Sequence, residues 1–354
     1  MFHRINKAQP AIWRDPSTIQ IGLDKNNVVI EELTLPQQQI IAALYSGVVD
    51  GQQEVLDETY KTALGTTNQL ITKLSSVMEG PETVSNAFGN WQQIAFAELA
   101  RAALDYEVNP EMVLAERWHR VVHLDQLDKS GMLIAKGLLA SGVGKVVTHD
   151  ESKILNTDLG ELGFSKELLG QSRFVAVDSE LQKLCLPQSA SQRLINLNYK
   201  PSKDLKVSFA VTSGHLATRP ITYIRWLNRD VPHINITFDL YEAQISPIVT
   251  PGNTPCLNCL AESKVDEDPA WPAIASQLID LPRTRDDSSS LLSSAGLALR
   301  SILRHLDESA GFKVATDEKN EYRDGYRIEY ATGNVHRARY EFHKLCKCSG
   351  LDEI

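Results

Sequence analysis

The chain has 354 residues, with 36 basic and 45 acidic side chains and a formal net charge of −9. It has no block of like charge long enough for a nucleic-acid-binding arm, and no apolar run approaches the roughly 20 residues that span a bilayer. No charged and then apolar leader opens the chain. We therefore expect a cytoplasmic protein of two or three units, with neither nucleic acid nor a membrane as its partner.

The first 50 residues predict a small unit of strands followed by a helix. Residues 12–14, 18–23 and 28–30 are short extended segments separated by turn residues, which predicts an antiparallel meander. Thr34 can then cap a helix whose apolar residues recur at helical spacing. This order is typical of a winged helix. Because the helix carries three glutamines and no cation, we expect the unit to accept an extended peptide as an added strand rather than to read DNA.

Residues 51–117 predict a helical connector. Amphipathic patterns run over residues 55–74 and 91–106, and Asn109 and Pro110 end the second pattern. Neither segment carries a group of residues that indicates chemistry, so we expect these helices to serve packing.

The remaining residues, 118–354, begin with a β-α-β pattern. Residues 121–124 predict a buried strand, 134–140 a helix and 143–148 a second strand. This order is typical of nucleotide-binding folds, and Asp150 follows the second strand, where a ribose hydroxyl would lie. An acidic residue at a strand end also commonly forms a turn, so both roles remain open for Asp150.

The loop after the first of these strands lacks what phosphate binding requires. A phosphate-cradling turn needs glycines so that backbone N–H groups can approach the anion. Residues 125–131 contain one glycine, Gly131, and two carboxylates, Asp125 and Asp128. These carboxylates would repel a triphosphate, so binding of ATP with Mg²⁺ is not expected.

Four of the five cysteines stand in two close pairs, Cys256 with Cys259 and Cys346 with Cys348. Two such pairs can complete the tetrahedron of thiolates that structural Zn²⁺ prefers, with no position left open for catalysis. One alternative is a disulfide framework, which the missing secretory leader disfavours, and another is four unrelated buried thiols. His343 could replace one ligand, although four thiolates already suffice.

Several motifs resemble a known family. The turn Gly142-Val143-Gly144, the strand that ends in Asp150 and the later residues 231–233 are similar to the ThiF-type adenylating fold of ubiquitin-activating-like enzymes. Residues 254–260, Thr-Pro-Cys-Leu-Asn-Cys-Leu, and 268–272, Asp-Pro-Ala-Trp-Pro, more narrowly resemble the bacteriocin-biosynthesis cyclodehydratase domain, also called the ocin-ThiF-like proteins.

Residues 12–16 and 19–24 resemble actinobacterial members of the same group. In that group the front unit resembles an element that recognises the leader segment of a ribosomal precursor peptide. The resemblance implies an α/β chain with three parts. Residues 1–50 form a winged-helix-like peptide-recognition unit, 51–117 a helical connector, and 118–354 a ThiF-like doubly wound, Rossmann-type domain with a structural zinc.

The chain departs from active adenylating members at three places. The glycine-rich loop is replaced, no arginine follows Asp150 before Arg173, and residues 211–215 hold no carboxylate where the family's metal-binding aspartate falls. His215 and Arg219 could face the same crevice, although a structural role is expected for this histidine. These departures indicate a fold that has lost its ATP chemistry.

The resemblance implies a non-catalytic scaffold that binds a leader peptide and presents it to a YcaO-type partner enzyme in an azole- or azoline-forming bacteriocin (RiPP) cluster. ThiF-like relatives commonly dimerise, so a homodimer is a further expectation. The competing hypothesis is an ATP-dependent adenylyltransferase or cyclodehydratase component that acts on a peptide, and a third is a housekeeping binding protein. ATP affinity separates the first two, and a neighbouring precursor-peptide gene separates the first from the third.

Overall fold

The structure, a computed structural model, describes residues 2–23, 27–79, 95–106, 108–183, 193–199, 205–279, 281, 287–314 and 324–349. The chain divides into two units. The first comprises Met1–Ala115 with Gly311–Asp317, and the second comprises Glu116–Ala310 with Glu318–Ile354. Within the described ranges, no helix combines the length and the apolar character needed to cross a bilayer.

The first unit contains two small antiparallel sheets and a set of helices. The strands of one sheet are β1 (Phe2–His3) and β5 (Val48–Val49), and those of the other are β2 (Ala11–Asp15), β3 (Thr18–Ile21) and β4 (Val28–Ile30), in the order β2-β3-β4. The helices are α1 (Leu35–Ser46), α2 (Gln53–Thr59), α3 (Thr66–Lys73), α4 (Phe96–Asp105) and α5 (Pro110–Trp118), the last of which crosses the boundary between the units.

The start of α1 follows from its sequence. The Thr34 hydroxyl accepts a bond from the Gln37 backbone, and the Gln37 side chain accepts one from the Thr34 N–H at 2.9 Å, which completes a capping box. The apolar positions Ile40, Ile41 and Leu44 are buried against the strands and α3. The predicted meander and helix are therefore both present.

The single helical pattern predicted over residues 55–74 is instead two helices, α2 and α3. The Asp57 carboxylate accepts hydrogen bonds from the backbone N–H groups of Gly65 at 2.7 Å and Thr67 at 2.9 Å. Gly65 has φ of +91°, a left-handed conformation that glycine adopts without strain. These bonds stabilise the break between the helices. Of the second pattern, residues 91–94 lie outside the described residues.

The second unit is built on an eight-stranded sheet in the order β13-β12-β11-β10-β9-β6-β7-β8. Its strands are β6 (Val121–Leu124), β7 (Lys145–Thr148), β8 (Leu194–Asn196), β9 (Phe209–His215), β10 (His233–Phe238), β11 (Glu242–Ile245), β12 (Asp324–Glu329) and β13 (Val335–Arg339). The neighbouring strands β10, β9, β6, β7 and β8 are parallel to one another. Strands β11, β12 and β13 each pair antiparallel with their neighbours. Winding reverses between β6 and β9, which is the arrangement of a doubly wound fold.

Helices cover both faces of this sheet. Those that pack on the larger core are α6 (Lys129–Ala140), α7 (Arg173–Gln182) and α11 (Ser288–Ser309). On the other face, Trp226 of α8 (Pro220–Leu227) lies against His123 of β6. Of the remaining helices, α9 (Leu257–Glu267) begins directly after Cys256 and contains Cys259, and α10 (Trp271–Leu278) follows it.

The Gly-Val-Gly turn before β7 has a packing explanation. A Cβ atom at Gly144 would lie 1.7 Å from the backbone oxygen of Trp118, so only glycine fits there. Nearby, the buried guanidinium of Arg117 donates two bonds to Asp307 of α11, at 2.8 and 2.6 Å. The ion pair holds the end of α5 to α11.

Candidate functional site

The carboxyl ends of β6, β7 and β9 meet at one edge of the sheet, where doubly wound folds bind their ligands. This edge was expected to hold Asp150 and a loop of residues 125–131. The loop is shorter than expected because α6 already begins at Lys129.

Asp128 caps α6. Its Oδ1 accepts hydrogen bonds from the Gly131 N–H at 2.9 Å and the Ser130 hydroxyl at 2.6 Å. A Cβ atom at Gly131 would lie 1.9 Å from the backbone oxygen of Gln126, so this glycine allows the turn to close on itself. The N-terminus of α6, which could bind an anion, is therefore bound by the chain's own carboxylate.

Asp150 lies beside this turn, and its side chain is only 3% exposed. Its Oδ2 accepts a bond from the Leu127 N–H at 2.7 Å, and its Oδ1 accepts one from the Ser152 N–H at 2.8 Å. Both carboxylate oxygens are thus bonded within the fold. The sequence placed Asp150 at the correct strand end, and the structure adds that it fastens the loop after β6.

Arg173 is the first arginine after Asp150, and it reaches the same region. Its Nε and Nη2 donate to Asp158 Oδ2 at 2.9 and 2.7 Å, and its Nη1 lies 3.9 Å from Asp150 Oδ2. All three side chains are buried. The cation that nucleotide chemistry would require at this edge is bonded to a carboxylate.

Asp125, immediately after β6, pairs with Arg225 of α8 at 2.7 Å. The pKa of Asp125 is raised to about 6, chiefly by burial; the charge of Arg225 opposes this shift, and the charges of Asp150 and Asp128 add to it. A carboxyl group that titrates near neutrality at the carboxyl edge of such a sheet is a candidate functional group. This pair has no local sequence signal, because its two residues are 100 positions apart.

His215 ends β9 and is half-buried. Its ring stacks on that of Phe238, with 5.3 Å between the centroids and 20° between the planes. This packing fits the structural role expected for His215.

The four cysteines of the two pairs come together, and their Sγ atoms all lie within 4.8 Å of one another. The closest pairs across the chain are Cys256 with Cys346, at 3.5 Å, and Cys259 with Cys348, at 3.3 Å. Sulfur atoms bound to one tetrahedral Zn²⁺ at about 2.3 Å are roughly 3.8 Å apart. The four thiols could therefore hold a metal ion.

The surroundings favour thiolate at one of these positions. A hydrogen bond from the Cys256 thiol lowers the pKa of Cys259 to about 4, while the same bond raises that of Cys256. His343 is not part of the cluster, since its Nε2 bonds to Asp266 Oδ2 at 2.9 Å. The histidine thus supports the tail through Asp266.

The cysteine cluster joins the start of α9 to the segment after β13. Tyr223 of α8 packs on it, and its hydroxyl donates to Asn258 Oδ1 at 3.0 Å. Burial, with the neighbouring cysteines adding to it, raises the pKa of Tyr223 to about 12. The neutral phenol is therefore the form that donates this bond.

In the first unit, the outer edges of β2 and β4 have no strand partner among the described residues. All five residues of β2 are exposed, and two of them are large and apolar, Ile12 at 36% and Trp13 at 48% exposure. An added strand could pair with either edge.

No protein-family model matches this sequence, and no curated protein matches it significantly. Solved structures do match. Escherichia coli MccB solved with ATP is 16% identical over 99% of this chain and 100% of its own, with a TM-score of 0.67. The microcin C7 biosynthetic enzyme MccB in complex with N-formylated MccA gives 16% identity, the same coverage and 0.66, and PaaA gives 13% over 95% of this chain and all of its own, with 0.66.

The chain has a ThiF-like fold. The predicted α/β architecture with a doubly wound sheet is confirmed. The structural match covers the full length of these neighbours. At such low identity the likeness establishes the fold, and its chemistry has to be argued from the residues.

Proposed function

We propose that this protein is a non-catalytic ThiF-like scaffold that binds a peptide on its N-terminal sheet and presents it to a partner enzyme, in the manner of azole-forming bacteriocin systems with a YcaO-type enzyme. The observation that carries the proposal is the loop after β6. Its anion-binding N–H groups are bonded to Asp128 and Asp150.

A nucleotide would have to displace these carboxylates. An incoming phosphate would compete with Asp128 for the Gly131 N–H and with Asp150 for the Leu127 N–H, and Asp125 would repel it as well. Asp128 and Asp150 would each lose a charge-assisted hydrogen bond while remaining buried, at a cost of a few kcal/mol. Mg²⁺ does not remedy this, because residues 211–215 contain no carboxylate.

The peptide role is supported by the first unit and by one neighbour. A three-stranded sheet with two unpaired edges can form main-chain hydrogen bonds with an extended segment. The MccB structures include a complex with N-formylated MccA. We propose that a precursor peptide adds to one edge of this sheet.

The metal proposed for the four thiols is a structural Zn²⁺. Cys256, Cys259, Cys346 and Cys348 would hold it, and four protein ligands leave no position for water. When bound, it would link the start of α9 to the C-terminal segment and take no part in chemistry.

An ATP-dependent enzyme that acts on a peptide is the second candidate. One observation favours it, namely that MccB, which shares the fold over its whole length, was solved with ATP. For that chemistry the loop after β6 would have to open and free Arg173 from Asp158.

Calorimetric titration with ATP and Mg²⁺ separates the two candidates, with MccB as the positive control. We expect no binding to this protein at millimolar ATP. Saturable binding at the loop after β6 would make the adenylating enzyme the better account.

If a precursor-peptide gene lies beside this one, its peptide tests the peptide role by fluorescence anisotropy. Trp13→Ala probes the β2 edge and Val29→Ala the β4 edge, and Gln39→Ala, on the exposed side of α1, is the control. One edge variant should weaken binding while the control leaves it unchanged. If neither variant changes the affinity, the sheet is not the peptide site.

A further inference from the structure

The face of the sheet that α8 covers contains a group of polar and aromatic side chains. His123 of β6 is fully buried, and its ring lies 4.6 Å from that of Trp226. Its Nε2 is 2.9 Å from Nδ1 of His149, which follows β7 and is exposed. Three elements thus meet here, at the carboxyl edge of the sheet.

Two arginines complete this group. The guanidinium carbons of Arg225, in α8, and of Arg229, two residues after its end, lie 4.8 and 5.9 Å from the centre of the Trp226 ring. Stacking on the indole restricts the orientation of both cations. Arg225 binds Asp125 through Nη2, and the structure gives no salt bridge for Arg229 among the residues it describes. Two guanidinium groups are therefore balanced by one carboxylate.

Burial divides the group into a supporting layer and an exposed layer. Trp226 and His123 are buried, Arg225 is half-buried, and Arg229 and His149 are exposed. Beneath the surface, Arg225 Nε and Trp226 Nε1 are buried donors with no acceptor among the described residues. Beneath the exposed layer the described residues thus leave two buried donors unsatisfied, and Asp125 is the carboxylate that pairs there.

The two arginines also affect the pKa values of both histidines. The pKa of His149 is lowered first by burial and then by the charges of Arg225 and Arg229. The pKa of His123 is lowered well below its usual range by burial, with the same two arginines contributing. An anion placed beside the arginines would relieve this repulsion.

We infer that Arg225, Arg229 and His149 bind an oxyanion, a carboxylate or a phosphoryl group, at the carboxyl edge of the sheet. Planar guanidinium groups match the paired oxygens of such anions, and this edge is where doubly wound folds bind ligands. The site is separate from the N-terminus of α6, which packs on the opposite face of the sheet and is capped by Asp128.

Two sources could supply the oxyanion, and two probes distinguish them. N-acetylglycine represents the C-terminal carboxylate of a peptide, and inorganic phosphate represents a phosphoryl group. Binding of either one identifies the source, and both outcomes support the site. Calorimetry measures the affinity, and the indole N–H resonance of Trp226, assigned with Trp226→Phe, reports whether the probe binds beside this ring.

The decisive variant is Arg229→Gln, because Arg229 is exposed and its loss should leave the fold intact. Loss of one charge-assisted hydrogen bond should weaken binding roughly tenfold or more. Arg339→Gln, on exposed β13, removes the same charge far along the sheet and should leave the affinity unchanged. His149→Asn tests the third group and should also weaken binding.

Absence of binding for both probes, or an affinity that Arg229→Gln leaves unchanged, would overturn the inference. The result is also distinguishable from nucleotide binding. If ATP binds, competition by phosphate together with loss in Arg229→Gln assigns its phosphates to this site, whereas binding that persists in the variant assigns the nucleotide to the loop after β6.

Discussion

The pKa of Asp125 is raised, and the direction of this shift determines how the free energy of unfolding responds to pH. The pKa rises from 3.8 to about 6, with burial as the largest cause. Because the folded pKa exceeds the unfolded one, the folded state retains a proton between about pH 4 and about pH 6 that the unfolded chain has lost. The contribution of this group to stability is therefore full below about pH 4 and is lost as the pH rises through about 6.

We expect Asp125→Asn to remove this contribution, because an amide does not titrate. Between about pH 4 and about pH 7 the free energy of unfolding of the wild type should fall by about 2 kcal/mol relative to the variant. Urea unfolding at both pH values measures it. Asp230→Asn, at an exposed position, is the control. Parallel pH profiles for wild type and Asp125→Asn would contradict the assignment.

Asp150 is expected to matter for stability. In Asp150→Asn one oxygen is replaced by an NH₂ group, so either the Leu127 or the Ser152 N–H loses its acceptor. The free energy of unfolding should decrease by roughly 1–3 kcal/mol. Urea denaturation measures this, with Glu151→Gln at the neighbouring exposed position as control. An unchanged stability would argue that these bonds do not hold the loop.

Individual residues were predictable where the signal was local. The cysteine pairs are recognisable because their members are two or three positions apart, and Asp150 because strand order places it. The group around Trp226 was not predictable, since His123, His149 and Arg225 come from three elements and share no spacing. The hydrogen-bond partners of Asp150 were also not predictable, because its carboxylate could accept bonds either from a ribose or from backbone N–H groups.

Among the elements, α1 is the clearest case of structure specified by sequence. Thr34→Ala removes the hydroxyl that accepts the hydrogen bond from the Gln37 backbone N–H in the capping box. We expect a loss of about 1 kcal/mol in the free energy of unfolding of the first unit, measured by thermal or urea denaturation. Gln39→Ala, within the same helix and exposed, should change it little. An equal loss in both variants would indicate a propensity effect rather than a capping effect.

The break between α2 and α3 shows the limit of periodicity at this scale. Apolar spacing over residues 55–74 continues through the break, so the pattern alone predicts one helix. The break depends on the Asp57 carboxylate, which binds N–H groups eight and ten positions later. Likewise, α6 starts earlier than its apolar pattern because Asp128 supplies the cap.

For the whole molecule, the order of elements predicted one β-α-β unit, whose crossover is right-handed, and the resemblance to ThiF-type proteins implied the complete doubly wound sheet. The antiparallel extension through β11, β12 and β13 was less accessible, since only its closing hairpin has a local pattern. The strands and helix of the N-terminal unit were recognisable from the sequence. So was the cysteine clamp, formed by Cys256, Cys259, Cys346 and Cys348.

Metal removal should affect the second unit strongly. The clamp closes a segment of about 90 residues, and a link of that length stabilises a folded chain by on the order of 4 kcal/mol. We expect a chelator to lower the thermal midpoint of the zinc-loaded protein. Cys348→Ser should already show the lower midpoint and respond no further, which controls for other effects of the chelator. An unchanged thermal midpoint of the wild type would contradict the proposed structural metal.

The same clamp affects how the protein responds to a protease. Cys256 and Cys346 are 90 positions apart along the chain but 3.5 Å apart in space, so with metal bound they close the intervening chain into a ring. A single peptide bond cut within that ring would leave both fragments attached through the thiolates. A nicked molecule should therefore migrate as one species on a native gel while metal is bound, and chelation would remove the link that the thiolates provide.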